Sequence, residues 1–296
     1  MDNEKLLNKI QKAKFKKAPF KHLFIENFLD ELTLNKVITS PQINTSIAEE
    51  SDRKLINFLK QTGYNVIPFP GTFNNEDEYI SWRKNTNPNK NDGLCEGIGL
   101  TLRLTDEITD ELLELKKFFE SKEFLKVAED KFKYNFNDKF YYMDGGIQKY
   151  LSGYEISPHP DIRKKFLTWM LNINPMSKSE NLNIHTHYLT LIKKFQYLKD
   201  FFKFNPDIDR CWVPWEWCET KFIQKENNSL VIFSPSDDTF HAVKSKYSHF
   251  EGQRTQLYGN LWYEDSKKIK TTNWSKLDIT NIKIDNINHE RKNNFK

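Results

Sequence analysis

The sequence predicts an α+β domain built round a β sandwich or barrel. Three observations carry that expectation: apolar residues at helical spacing between Thr105 and Phe132, aromatic and β-branched runs divided by turn residues from Lys139 onward, and a His-x-Asp pair close behind an early run of that series.

A chain of 296 residues with 38% hydrophobic content, rich in aromatics, can bury a substantial core. It shows no internal repeat and no Gly- or Pro-rich linker, so it reads as a single domain over 1–296. The core spans about 19–263, with an insertion at about 176–210 and a polar tail at 264–296 expected to be loosely attached. Lys and Arg total 45 against 41 Asp and Glu, an excess of +4 spread along the chain, and this does not call for nucleic acid. The charged N-terminus lacks a secretory apolar stretch, and no run approaches the ~18 apolar residues of a membrane span, so a cytoplasmic protein is expected. Cys95, Cys211 and Cys218 are odd in number and lack CxxC spacing, which argues for reduced thiols rather than a disulfide framework or thiolate zinc site.

Taken in order, His22–Ile25 reads as a short strand and a helix begins near Leu29 to Glu31. Residues 41–100 read as irregular and polar, with turn signals at FPG (69–71) and NPNKNDG (87–93). Ile108, Leu112, Leu113, Leu115, Phe118 and Phe119 make one helical stripe. Ser121 caps a second helix carrying Phe124, Leu125 and Val127, and the pair is expected to cover a sheet. The strand-like runs are FYYMDGGIQKYLSGY, KKFLTWMLNIN, WVPWEWCETKFI, NSLVIFSP and RTQLYGNLWY. Between the second and third, SKSENLNIHTH reads as a polar loop and LTLIKKFQYLKDFF as helical.

Mononuclear Fe(II) oxygenases use two histidines and one carboxylate on one face of the metal, which makes His159 and Asp161 two members of a recognisable set of three. His241 is the best third member, since it follows the apolar run LVIFSP and a turn, with Val243 resuming the strand. His249 in SKYSHFEGQR competes for that role, but the strand-turn setting favours His241. Arg254, opening RTQLYGNLWY, suits a bidentate hold on a carboxylate. His185 and His187 read as exposed loop residues open to contact with substrate, and His22 and His289 as structural or solvated. The cluster WVPWEWC (212–218) reads as core and strand rim, with a substrate-stacking wall as the alternative. The lysines at 12–21 and 193–194 read as solvated faces.

Tyr150, Gly153, Pro158, His159 and Asp161 stand in the pattern Y-x-x-G-x-x-x-x-P-H-x-D; LVIFSPSDDTFHAV surrounds His241, and Arg254 follows. In these residues the chain resembles the Fe(II)/2-oxoglutarate-dependent dioxygenases, in their prolyl 4-hydroxylase-like branch. PFKHLFIENFLDE (19–31) is similar to the opening strand and helix of that family, and the resemblance covers Pro19 to Tyr263. It implies a double-stranded β-helix (jelly-roll) core, with N-terminal helices packed on the sheet and an inter-strand insertion. It also implies Fe(II) on His159, Asp161 and His241, the distal carboxylate of 2-oxoglutarate on Arg254, and Tyr150 and Thr168 as further cofactor-binding candidates. The implied reaction consumes O₂, hydroxylates a substrate C–H bond and releases succinate and CO₂. Halogenating members lack the carboxylate, so Asp161 favours hydroxylation.

The chain departs from the family at Ile156, where a tyrosine is common, and at 176–210. A prolyl substrate is therefore not implied, and small-molecule and peptidyl substrates both fit. Alternation places Phe166, Thr168 and Met170 on one face of their strand and Leu167, Trp169 and Leu171 on the other, with the inward face left open. Two rivals remain. A nucleic-acid demethylating oxygenase of this fold would want a basic groove, and a catalytically silent jelly-roll binding module would be expected to have lost a ligand or the arginine. The sequence sets no oligomeric state.

Overall fold

The structure, a computed structural model, describes residues 1–263 except 48, 70, 86–96, 107–108, 134–139, 206–207, 209–210 and 245–246. The NPNKNDG turn, Cys95, Ile108, His289 and the 264–296 tail of the sequence reading lie outside the described residues.

Helices dominate the first part of the chain. α1 (Asn3–Lys12) starts at Asp2, whose side chain accepts from the Lys5 amide, and it buries Leu6 and Ile10. β1 (His22–Ile25) and α2 (Glu31–Thr39) follow as expected, the helix capped by the Asp30 carboxylate accepting from the Thr33 amide at 2.9 Å. Residues 41–100 correct the expectation of irregular chain. They hold α3 (Asp52–Gln61), β2 (Tyr64–Val66), α4 (Glu76–Asn85) and β3 (Gly97–Ile98), and β4 (Thr101–Leu104) comes next. The stripe Leu55, Ile56 and Leu59 that buries α3 is thin and set among Lys, Arg and Asn, so polarity hid a regular amphipathic period. α5 (Asp110–Glu120) and α6 (Lys122–Phe132) meet at Ser121, which ends the first helix and caps the second by accepting from the Phe124 amide at 3.1 Å.

From there the chain crosses repeatedly between two sheets. The remaining strands are β5 (Phe140–Tyr150), β6 (Glu155–His159), β7 (Lys165–Asn172), β8 (Thr186–Leu191), β9 (Cys218–Gln224), β10 (Leu230–Phe233), β11 (His241–Val243) and β12 (Thr255–Tyr263). Helix α7 (Tyr197–Phe204) lies between β8 and β9, and α8 (His249–Gly252) precedes β12. The larger sheet runs β1-β10-β7-β12-β5-β4-β2 and the smaller β3-β6-β11-β8-β9, with every pairing antiparallel. Strands β5, β7, β10 and β12 in one sheet, interleaved along the chain with β6, β8, β9 and β11 in the other, make a jelly roll. The fold is thus α+β with a double-stranded β-helix core. Residues 176–210, expected as an insertion, contain β8, which lies between β11 and β9 in the smaller sheet. Its histidines made THYLTL look like a polar loop running into a helix.

Period-two alternation decides which face does what. On β7, Leu167, Trp169 and Leu171 join the helix-covered core, while Met170 packs between the sheets with Tyr188 and Phe233. Trp169 stacks on Phe119 at 5.7 Å and meets Phe124 edge-on at 5.3 Å, so α5 and α6 cover this face of the larger sheet. Opposite Trp169 on β12 is Gly259, and a Cβ there would lie 2.2 Å from the indole. No described helix is long and apolar enough to cross a membrane.

The indole thus fits only because its cross-strand partner has no side chain. Gly259→Ala is expected to lower unfolding free energy by about 2 kcal/mol or more, measured as a reduced urea midpoint by circular dichroism. An unchanged midpoint would contradict this packing.

Candidate active site

Strand register builds the site. β6 ends at His159, β11 begins at His241, and the two residues are direct partners across the antiparallel pair, their ring centroids 4.3 Å apart. Each ring is held the same way by the carbonyl two residues before it: His159 Nδ1 lies 2.8 Å from the Ser157 oxygen and His241 Nδ1 3.0 Å from the Thr239 oxygen. A carbonyl can only accept, so both Nδ1 atoms carry the proton and both Nε2 atoms offer a lone pair. The chain then turns sharply at Asp161, whose φ of 63° is left-handed, a conformation Asp adopts more readily than most residues. That turn brings the carboxylate back between the rings: Oδ1 lies 3.9 Å from His159 Nε2 and Oδ2 lies 3.9 Å from His241 Nε2. One ligand atom from each residue falls within 4.8 Å of the others, and all three side chains are buried.

Burial sets the protonation states. It pushes the His159 imidazole down to about 3 and lowers His241 as well, so both rings are neutral near pH 7. Burial alone would raise the Asp161 pKa, but the Lys165 ammonium beside it holds it well below the usual carboxylate range. Lys165 Nζ donates to Asp161 Oδ1 at 2.6 Å and to the Tyr258 hydroxyl at 3.0 Å. The Thr168 hydroxyl lies 3.0 Å from Asp161 Oδ2 and 2.9 Å from Asn260 Oδ1. Thr168, expected as a cofactor contact, thus has its hydroxyl within hydrogen-bond distance of the Asp161 carboxylate.

Arg254 lies just before β12, in line with Gln256, Tyr258 and Asn260, the residues of that strand that point between the sheets. It is 3% exposed. Its Nη2 donates to Thr186 Oγ1 at 3.1 Å and to Gln256 Oε1 at 3.0 Å, while Nη1 is buried without a hydrogen-bond partner. Among the described residues no carboxylate pairs with this guanidinium. The Tyr150 ring packs against it, 4.2 Å from centroid to Cζ. With the Gln148 amide oxygen accepting from Arg103 Nη2 at 2.8 Å, the amide nitrogen donates to the Tyr150 hydroxyl at 2.8 Å and leaves that hydroxyl's own proton free to donate.

A cavity of about 430 Å³ opens in front of the triad, lined by His159, Asp161 and Lys165 and walled by Phe69, Trp212 and Tyr258. Trp212 lies 6.1 Å from the His159 ring, so one residue of the WVPWEWC cluster faces this cavity. Trp215–Trp217 form a 3₁₀ turn in which Trp217 stacks on Phe195 at 4.2 Å.

The other described histidines lie apart from the triad. His185 and His187, expected as exposed loop residues, are buried beside and within β8: His185 Nε2 lies 2.9 Å from the Ser179 carbonyl, and His187 packs edge-on to Trp215. His249, the rival for His241, is buried in α8 with Nδ1 2.9 Å from the Tyr150 carbonyl. His22 is buried and stacks on Tyr188. Cys211 and Cys218 are free thiols, each pushed up to about 12 by burial. Sequence reasoning missed Lys165 and Asn260. A lysine four residues after the aspartate and the even-numbered polar residues of RTQLYGNLWY were the available signals.

The donor set fits Fe(II). Two neutral imidazoles and a carboxylate on one side would hold the metal and leave open positions on the other. The orphaned Nη1 of Arg254 fits a carboxylate, as 2-oxoglutarate would supply. No protein-family model and no curated protein matches the sequence. The structure is similar to a Pseudomonas putida prolyl-4-hydroxylase, with 7% identity and a TM-score of 0.40 over 88% of this chain and 97% of that one. It is also similar to a prolyl hydroxylase from Trichoplax adhaerens determined with a hypoxia inducible factor peptide, with 12% identity and a TM-score of 0.41 over 90% of each chain. A third likeness is to SnoN, a non-heme alpha ketoglutarate dependent epimerase of nogalamycin biosynthesis, with 7% identity and a TM-score of 0.37 over 93% of this chain and 91% of that one. These likenesses are of general arrangement, and no residue role is carried across from them.

Because burial lowers His159 and His249 to about 3 and His185 and His187 to about 4, the unfolded chain binds more protons than the folded one below the ordinary histidine pKa of about 6.5. Stability is therefore full above that pKa and lost as pH falls. Urea unfolding is expected to give at least about 2 kcal/mol less at pH 5 than at pH 7; equal stability at both would contradict neutral buried rings.

Proposed function

We propose that this protein is an Fe(II)- and 2-oxoglutarate-dependent dioxygenase that hydroxylates a C–H bond of an organic substrate. His159, Asp161 and His241 would be the metal ligands, with Arg254 and Tyr150 holding 2-oxoglutarate. The observation that carries this reading is the pairing of a buried two-histidine, one-carboxylate triad with a buried guanidinium that meets no carboxylate among the described residues. The chemistry that Fe(II) and 2-oxoglutarate supply when bound is oxidation of the C–H bond by O₂, with 2-oxoglutarate leaving as succinate and CO₂.

The chain's own residues prepare that chemistry. The imidazoles are already neutral, so metal binding near pH 7 displaces no proton from them. Lys165 and Thr168 each hold one oxygen of Asp161, so the carboxylate is oriented before a metal arrives. Arg254 is anchored through Nη2 and keeps Nη1 for a carboxylate, and the Tyr150 hydroxyl adds a second donor beside it. Phe69, Trp212 and Tyr258 give apolar walls to the space where a substrate would sit. The proposal extends to one domain working in the cytoplasm on a substrate other than nucleic acid. The cavity has Phe69, Trp212, Tyr258 and Trp262 among its walls, and no basic groove was expected from the charge.

Anaerobic titration with Fe(II) and then 2-oxoglutarate is expected to produce the weak visible charge-transfer band of the chelate. The band should be absent in His159→Ala and should need at least about tenfold more 2-oxoglutarate in Arg254→Ala. No band in folded wild type would sink the proposal. Thr168→Val is expected to weaken Fe(II) binding about tenfold, read by competition with a fluorescent chelator. Unaltered affinity would mean that the hydroxyl does not position Asp161.

A further inference from the structure

The ammonium of Lys165 is bound to the very carboxylate that a metal in this site would use. Nζ lies 2.6 Å from Asp161 Oδ1, and the pair is enclosed, the two side chains being 11% and 5% exposed. The Thr168 hydroxyl lies 3.0 Å from the other oxygen, Oδ2. One carboxylate is thus shared by two neighbours of different kinds, a neutral hydroxyl on one oxygen and a full positive charge on the other. Orienting the group calls only for hydrogen-bond donors, so the charge has a separate consequence.

The surroundings leave that charge in force. Lys165 Nζ otherwise donates to the Tyr258 hydroxyl at 3.0 Å and lies 5.8 and 5.5 Å from the ring centroids of Tyr258 and Trp262. The other acid lining the cavity, Asp144, is paired with Arg103, Nη1 and Oδ1 lying 2.6 Å apart. An ion on Asp161 therefore sits one carboxyl group away from a fixed positive charge, in a buried place where water screens weakly. Repulsion grows with the charge of the ion, so the ammonium opposes a trivalent metal more than a divalent one. Its pull on the carboxylate acts in the same direction, because a weaker oxygen donor costs the higher charge more.

We propose that Lys165 is a positioning residue that acts through Asp161 to keep bound iron in its divalent state. This rests on the dioxygenase reading and names a control built into that same site. The reaction it opposes is the loss of one electron from Fe(II) to dioxygen, which gives Fe(III) and superoxide and leaves the substrate untouched. Lys165 makes that electron harder to remove, while Thr168 orients the carboxylate without charge.

The test is the one-electron potential of the full chain loaded with Fe(II), titrated anaerobically with redox mediators and followed by the electron paramagnetic resonance of Fe(III). Lys165→Arg keeps the charge and an N–H, Lys165→Gln keeps an N–H alone, and Lys165→Met keeps neither. In the two neutral variants the affinity for Fe(III) relative to Fe(II) is expected to rise at least about tenfold. For one electron that lowers the potential by about 59 mV or more. Lys165→Arg should stay at the wild-type potential, and Thr168→Val should fall by less than either neutral variant. A pairing that only offset the burial of Asp161 would alter metal affinity and leave the potential in place.

An unchanged potential in Lys165→Gln and Lys165→Met overturns the inference, and if one of them fails to fold the other decides. A fall in Lys165→Arg or Thr168→Val as large as theirs also overturns it. Failure of both neutral variants to take up Fe(II) does the same, since the cation would then build the site and not select its oxidation state. Failure of wild type to take up Fe(II) sinks the dioxygenase reading itself. Normal uptake with a potential indifferent to the charge at Lys165 sinks only the role given to this residue.

Discussion

His159 and His241 face each other because β6 and β11 pair with those two residues in register, and the rest of the site is built outward from that contact. A shift of one residue in either strand would turn one ring to the opposite face of the smaller sheet, since side chains alternate along a strand. The backbone reinforces the register: the Ser157 and Thr239 carbonyls each take the Nδ1 proton of the histidine two residues on, so both rings present the same nitrogen to the same space. Asp161 reaches that space only through a left-handed turn, and the carboxylate it delivers is gripped on both oxygens. A register, two carbonyls and a turn thus define a three-atom donor face with few degrees of freedom.

Holding such a site requires burying charge, and the structure divides that cost by face. Between the sheets, β12 and its approach present Arg254, Gln256, Tyr258 and Asn260, linked to β7 through Asn172 and Thr168 and to β8 through Thr186. On the other face, Leu257 and Leu261 alternate with Gly259, over which Trp169 lies. The helices α5 and α6 seal that apolar layer, where each fully buried large side chain contributes about 1.5–3 kcal/mol. Even here one cation is enclosed: Lys149 is fully buried, donates to the Ile43 carbonyl and Thr255 Oγ1, and is lowered by burial to about 7. A strongly apolar layer on one side of a sheet offsets a strongly polar interior on the other.

Much of this was legible in the amino-acid order. The triad and Arg254 stood out because histidine and arginine are few in this chain and because His159, Asp161 and His241 follow strand-like runs while Arg254 opens one, and the helical stripe with its Ser121 cap gave α5 and α6. What stayed hidden was hidden for physical reasons. THYLTL is a strand of the smaller sheet, but with buried histidines in place of aliphatic residues it read as a polar loop, which turned a jelly-roll strand into an insertion. α3 disguised its buried stripe among charged neighbours. Lys165 looked like one more basic residue in RKK, because nothing in the sequence says that its ammonium turns inward to Asp161 and lies over Tyr258 and Trp262. Contacts between side chains of different strands are settled by register, and register is the property that residue patterns encode least directly.

The most direct test of the account is anomalous diffraction at the iron absorption edge, from crystals grown without oxygen in the presence of Fe(II) and 2-oxoglutarate. The account predicts one strong peak about 2.1 Å from His159 Nε2, His241 Nε2 and an Asp161 carboxylate oxygen, with a 2-oxoglutarate carboxylate against Arg254 Nη1. A peak at His185, His187 or His249 instead, or a well-ordered triad with no metal between its donors, would contradict it.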